Sequence, residues 1–307
     1  MGAQLRVYRR RIASVTSTKK ITRAQELIAT SRIVKAQQRV AASTPYAREI
    51  TRAVSAVASH SNAKHPLIGE RPRLRRAAIV LVTADRGMAG AYNGAAIKQA
   101  EQLAALLRDE GKEVVRYVIG RRGASYYRFR GIELAGTWSG FSDNPQYGDA
   151  AEVADVVIAD FEKGGEDGGV DELHVVSTEF VSMLTQNATA ARFLPLLVEE
   201  RSIEESTEPP AGGVFPLYEF EPSPSEVLDA LLPNYIKARL YNALLQSAAS
   251  EHAARRRAMK SATDNASDLI IQLTRLANSA RQSAITQEIS EIVGGANALA
   301  DASAGNE

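Results

Sequence analysis

Glycine and proline, the residues that break helices, are confined almost entirely to the middle of this chain. Seventeen of its 21 glycines lie between Gly69 and Gly213. Of 11 prolines, only Pro45 precedes Pro66 and none follows Pro233. The longest stretch free of both runs from Asn234 to Val293, 60 residues. A continuous helix of that length would span roughly 90 Å, and one over Ala3 to Thr44 roughly 60 Å. Helices in ordinary globular domains run about 8–20 residues. The pattern therefore predicts two long helices at the ends and a turn-rich domain between them.

The 307 residues suffice for about two ordinary domains. Cysteine is absent, which excludes a disulfide framework and thiolate chemistry. The four histidines, His60, His65, His174 and His252, are too scattered to suggest a zinc site, so no metal or other cofactor is expected. No stretch of about 18 apolar residues occurs, so no membrane span is expected. The basic N-terminus lacks the apolar core of a signal peptide. Arg6 stands where a myristoylation motif needs Ser or Thr.

The net charge of +1 averages two opposed regions. From Met1 to Ala58, twelve Lys or Arg stand against Glu26 and Glu49 alone. From Phe141 to Asp229, twenty Asp or Glu stand against Lys163, Arg192 and Arg201. Three regions follow: residues 1–61 as an N-terminal coiled-coil helix, 73–222 as an α/β domain, and 223–307 as a C-terminal coiled-coil helix. In the first, Leu5, Tyr8, Ile12 and Val15 keep the 3-4-3 spacing of a coiled-coil seam. Lys19 and Thr22 interrupt it, Ala24, Ile28 and Ser31 resume it, and Pro45 is expected to kink or interrupt the helix. In the last, Ser223-Pro224-Ser225-Glu226 reads as a capping box with proline at the first helical position. A bend is expected at Pro233. Ala262, Ala266, Leu269, Leu273, Leu276 and Ala280 give a strict heptad seam, and Ile285, Ile289 and Ile292 continue an apolar stripe.

The middle region alternates in period. Strands are predicted over Ala77–Thr83, Val114–Ile119, Glu172–Val176 and Leu217–Phe220. Helices are predicted over Ala95–Glu110, Gly123–Phe129 and Tyr147–Glu162. Strands alternating with helices argue for a Rossmann-like α/β domain with a mainly parallel sheet. Such a domain returns the chain, so the terminal helices run antiparallel and bury their seams together. The longer C-terminal helix outlasts its partner, and a bare helix with an isoleucine stripe needs a sheath from another protein.

Catalytic signatures are missing. There is no G-x-x-x-x-G-K-[ST] loop, and Gly87-x-x-Gly90-x-x-x-Gly94 does not fit G-x-G-x-x-G. The DRGMAGAYNG loop reads as a tight turn, with Asp85 and Arg86 as a local cap or ion pair. The Arg9–Arg11 cluster suits an acidic protein collar better than nucleic acid. No aromatic platform interleaves with its charges, and the charges ring the helix. A solvated helix face is the bland alternative.

Three segments together resemble the gamma subunit of F-type ATP synthases: RRRIASVTSTKKITRAQELIATSRIVKAQ, TADRGMAGAYN, and SEHAARRRAMKSATDNASDLI with RQSAITQEISEIVGGANAL. The resemblance spans the chain in order. It implies a central-stalk rotor without catalytic sites of its own, coupling proton flow to conformational cycling of the catalytic subunits. Its partners would be three alpha and three beta subunits around the coiled coil, with the epsilon subunit and c-ring at the α/β foot. It would lie peripherally on the cytoplasmic face of the membrane, touching it only through the complex. The competing reading is a coiled-coil scaffold whose α/β domain binds a ligand or nucleotide.

By motif, Arg281 and Gln282 match the family's RQ pair facing a beta loop, and Thr286 and Glu288 lie one turn beyond. Arg255 matches the arginine of SE-x-AAR. Lys19, Lys20 and Arg23 match the basic KKIT-x-A segment near acidic beta loops. Gln25 departs from the methionine common at that point, and Ala89 from a frequent cysteine. The acidic glycine-rich segment between Phe161 and Leu173 is longer than the family's usual turn. Its residues Gly164, Gly165, Glu166, Asp167, Gly168, Gly169 and Val170 are expected to form an exposed, mobile, regulatory loop.

Overall fold

The computed structural model describes residues 2–60, 65–69, 73–196, 221 and 223–304. The predicted strand Leu217–Phe220 lies outside them. Helix α1 runs Gly2–His60, and α5 runs Pro224–Ala304. Between them come β1 (Arg76–Val82), α2 (Tyr92–Asp109), β2 (Glu113–Ile119), α3 (Arg121–Phe129), β3 (Gly136–Trp138), α4 (Tyr147–Lys163), a 3-10 turn (Gly165–Asp167), β4 (Glu172–Phe180) and β5 (Gln186–Leu194). The chain divides into two compact units. One comprises residues 1–28 with 256–307, and the other residues 29–255.

In the α/β unit the strand order is β3-β2-β1-β4-β5. The first four strands are parallel, and β5 closes the edge antiparallel to β4. β1 is buried on both faces, which explains its unbroken apolar run. Ala77, Ile79 and Leu81 pack with Ala96, Ala100 and Ala104 of α2 and Tyr127 of α3. Ala78, Val80 and Val82 face the opposite core, formed with Val153, Val157 and Phe161 of α4 and Leu228, Leu232 and Ile236 of α5. Strand alternation thus assigns every second residue to a separate core.

Both internal prolines sit within unbroken helices, Pro45 in α1 and Pro233 in α5. The predicted interruption at Pro45 does not occur. The carbonyl it frees belongs to Ala41, and both residues are exposed, so the lost bond is not buried. The start of α5 follows the sequence signal: the Glu226 amide donates to Ser223 Oγ at 3.3 Å.

The 164–170 segment departs from its expectation. Only Glu166, Asp167 and Gly168 are exposed, whereas Gly164, Gly169 and Val170 are buried. A Cβ at Gly169 would sit 2.1 Å from the Asp160 carbonyl, so the backbone is pressed against α4. Asp171 fastens the far side, its carboxylate accepting from the amides of Arg75, Arg76 and Gly165. The segment is a built turn over the start of the sheet, with Val170 in the core.

In the helix-pair unit, Thr22 and Thr263 hydroxyls share a hydrogen bond of 2.7 Å. Stepping back along α1 and forward along α5 from that pair sets Ile12 opposite Leu273 and Tyr8 opposite Ala277. Stepping the other way sets Glu26 opposite Met259. Glu26, Met259, Leu273 and Ala277 are all buried, and Tyr8 and Ile12 half-buried. This is an antiparallel coiled coil. Farther along α5, residues 285–297 are all exposed.

The seam differs from the one predicted. On α5 it runs through Thr263, Ala266, Ile270, Leu273, Ala277 and Ala280, while Leu269 and Leu276 are exposed. On α1 it continues unbroken through Lys19, Thr22 and Glu26, while Ala24, Ile28 and Ser31 face outward. Two heptad frames share Ala266, Leu273 and Ala280, and the one with smaller intervening residues wins. Threonine and alanine allow a close approach, and the threonine pair satisfies its own polarity.

Candidate functional site

Open parallel sheets bind ligands beyond the strand C-termini, where the strand order reverses. Here that point lies between β1 and β4, and α5 fills it. The Thr178 amide donates to Ser247 Oγ at 3.1 Å, and Ser250 Oγ donates to the Thr178 carbonyl at 3.2 Å. Glu251 beside them is fully buried and paired to Arg255 at 2.6 Å. Burial pushes the Glu251 carboxyl upward and the Tyr92 hydroxyl well above its usual value, and the nearby Glu251 charge raises Tyr92 further.

The glycine-rich loop is organised rather than reactive. Asp85 accepts backbone N–H bonds from Gly140 at 2.7 Å, Arg121 at 3.1 Å and Ser142 at 3.2 Å. It acts as the local cap that the sequence suggested. Gly120, at φ 97°, has the Thr83 carbonyl 2.1 Å from where a Cβ would stand, so only glycine fits there. Among the described residues no group of His, Asp and Glu is arranged to hold a metal ion.

The predicted contact residues fall into three places. Lys19, Lys20 and Arg23 lie on the α1 part of the helix pair. Lys20 and Arg23 are exposed, Lys19 occupies a half-buried seam position opposite Ala266, and Arg23 pairs with Glu26 at 2.8 Å. Arg281, Gln282, Thr286 and Glu288 are all exposed on α5. Thr286 Oγ1 donates to the Gln282 carbonyl at 3.0 Å. The register places these two groups about 22 Å apart along the axis. Arg255 joins neither. It is 7% exposed in the α/β unit, where its guanidinium binds Glu251 and approaches the Arg86 and Gly87 carbonyls.

Sequence reasoning missed a further set. Ile21, Leu27, Ile28, Leu269, Ile271 and Leu276 are exposed on the helix pair, joining Ile285, Ile289, Ile292 and Val293 beyond it. A single exposed leucine is unremarkable, but this set turns apolar side chains outward while threonine and glutamate are buried. The missed signal was the second heptad frame, which takes Thr263, Ile270 and Ala277 in place of Ala262, Leu269 and Leu276.

Residues 4–299 match the family model described as ATP synthase. The chain is 63% identical over 307 residues to the ATP synthase gamma chain of Streptomyces avermitilis, covering 100% of both. It is 64% identical over 299 residues to that of Acidothermus cellulolyticus, covering 97% of this chain and 98% of the other. Among solved structures, the rotor of the Euglena gracilis mitochondrial ATP synthase aligns with a TM-score of 0.65, covering 93% of this chain and 100% of that one at 14% identity. The central stalk and c-ring assembly of the Tetrahymena thermophila enzyme gives 0.56 over 79% of this chain and 99% of the matched one, at 20% identity. These two likenesses are of fold alone.

Proposed function

The chain belongs to the ATP synthase gamma-chain family, and from that premise we propose how its surface couples rotation to catalysis. It is the central-stalk rotor subunit of an F-type ATP synthase. No described helix is long and apolar enough to cross a membrane. The subunit is held peripherally on the cytoplasmic face through the c-ring and the epsilon subunit, and it carries no catalytic site itself. Three alpha and three beta subunits surround the helix pair.

The observation that carries this reading is the set of large apolar side chains left exposed on the helix pair. Ile21 at 58% exposure and Leu276 at 49% face outward, while Thr22 and Thr263 are buried at 7% each. Such a pair is completed by a sleeve that covers its outer face. One asymmetric shaft meets each of three equivalent beta subunits differently. Rotation then shifts each between open and closed states through differential contact energy. Arg281, Gln282, Thr286 and Glu288 form one set of beta contacts, and Lys19, Lys20 and Arg23 the other. Arg255 serves the chain's own fold. The nucleotide-binding scaffold reading loses support because α5 occupies the crevice such a ligand would need.

Purification of the complex tests the assignment: one copy is expected with three alpha and three beta subunits. An isolated monomer with no such partners would overturn it. The variant Arg281→Ala with Gln282→Ala is expected to lower ATPase activity while the α/β unit stays folded, and unchanged activity would remove those two contacts. For the 164–170 segment, we propose that Glu166 and Asp167 touch a neighbouring rotor or stator subunit. Deletion would remove buried Val170, so Glu166→Gln with Asp167→Asn is the cleaner probe. Unchanged synthesis and hydrolysis would remove that role.

A further inference from the structure

The α/β unit contains a cavity of about 660 Å³ outside the filled crevice, of a size suited to a small-molecule ligand. Four cations line it: Arg32, Lys35, Arg39 and Arg86. Arg32 is paired to Asp143, and Arg39 donates to Asn144. Lys35 and Arg86 are exposed, and the structure shows no hydrogen-bond or ion-pair partner for either charged group. Asp149 is the only other acidic wall residue, and it is held by the capping box of α4, accepting from the Gln146 amide at 2.7 Å. The lining therefore carries two more positive than negative charges.

His252 adds no charge to this lining. It lines the cavity and is 2% exposed. Its Nε2 lies 2.9 Å from the Asp143 carbonyl, an atom that only accepts, so Nε2–H is the donor. Nδ1 is then an acceptor, and it is buried without a partner. Burial holds the ring down at about 4, so it is neutral at pH 7. Nδ1 is itself sealed from solvent, so a molecule in the cavity does not reach it, and His252 contributes an uncharged stretch of wall. Phe141, Leu245 and Ala248 supply an apolar wall.

We propose that this cavity binds a phosphorylated small molecule of mononucleotide size. Lys35 and Arg86 hold the phosphoryl oxygens, and the Phe141 side packs against the organic part. Two unpaired cations within one cavity favour an anion of charge near −2. The site is separate from the rotor contacts on the helix pair, so its failure leaves the rotor assignment standing.

Calorimetric titration of the full chain with ADP, and separately with inorganic phosphate, tests the proposal. ADP is expected to bind with Kd below about 1 mM and to weaken as salt rises. Lys35→Gln with Arg86→Gln, both exposed and unpaired, is expected to weaken binding about tenfold or more without changing the circular dichroism spectrum. Phosphate binding as tightly as ADP assigns the site to the phosphoryl group alone, and ADP binding more tightly assigns a role to the apolar wall. No binding of either at 10 mM, or equal affinity in the double variant, overturns the proposal. Acetylation of the wild-type chain gives a second reading: ADP should protect Lys35 but not Lys98, and equal labelling with and without ADP also overturns it.

Discussion

In the α/β unit, Phe161, Leu228 and Leu232 are fully buried while charge lies at the surface or in paired networks; in the helix pair, Thr22, Glu26 and Thr263 are buried while Ile21, Leu276 and Ile292 are exposed. The first unit closes its own core, with sheet and helices covering each other's apolar faces. The second leaves much of its apolar surface outside, while Thr22, Glu26 and Thr263 share its seam with Met259 and Leu273. The difference separates a domain stabilised from within from an element completed by partners. A substitution in the first should act on stability, and one on the second's outer face should act on assembly.

Four variants test this comparison. Phe161→Ala should cost about 3–5 kcal/mol, read as a lower urea midpoint and faster amide exchange in α4. A loss below about 1 kcal/mol would show that this core is not what holds the unit. Glu172, 3% exposed, comes next. Burial alone would raise its carboxyl, but bonds to His174 and Lys112 overcome that and hold it down at about 2, against an ordinary 4.5. The unfolded chain therefore takes up the proton more readily. The stabilisation is complete above pH 4.5 and is lost as pH falls through about 2. Glu172→Gln should cost about 3 kcal/mol at pH 7, with the gap to wild type closing below pH 4.5. A pH-independent gap would assign its effect to packing.

Thr22→Val should cost about 1 kcal/mol, because Thr263 keeps its bond to the Met259 carbonyl at 2.8 Å. Amide exchange in residues 256–280 reads this, and a gain in stability would show that the seam prefers apolar contact. Leu276→Ser is the smallest, within about 0.5 kcal/mol on the chain alone. It should nevertheless weaken assembly with the alpha and beta subunits, and unchanged assembly would show that this face is not covered.

The sequence displayed the α/β unit well because its signals are local. The AAIVLVT run became β1, and the 95–110 and 147–162 periods became α2 and α4, each within a few residues. β3 was missed because GTW is three residues long. β5 was missed because QNATAARFL carries three alanines where strands usually show β-branched residues. The helix seam was misread because leucine draws a hydrophobic pattern toward itself. Leu269 and Leu276 satisfied one frame, but close helix approach favoured Thr263 and Ala277 in the other. The exposed apolar set on the helix pair was therefore less legible than the motif residues. Arg255 was marked by motif, yet its partner Glu251 became visible only once the helix placed them one turn apart against the sheet.

The outward leucines and isoleucines have a mechanical consequence. Apolar contact is non-directional, and its strength follows area rather than angle. Where these side chains meet a surrounding surface, turning breaks no directed bond between them and it, so their share of the energy profile is shallow. Directed contacts at Arg281, Gln282 and the Lys19–Arg23 turn, if the proposed meeting with the beta subunits holds, would by contrast favour particular angles.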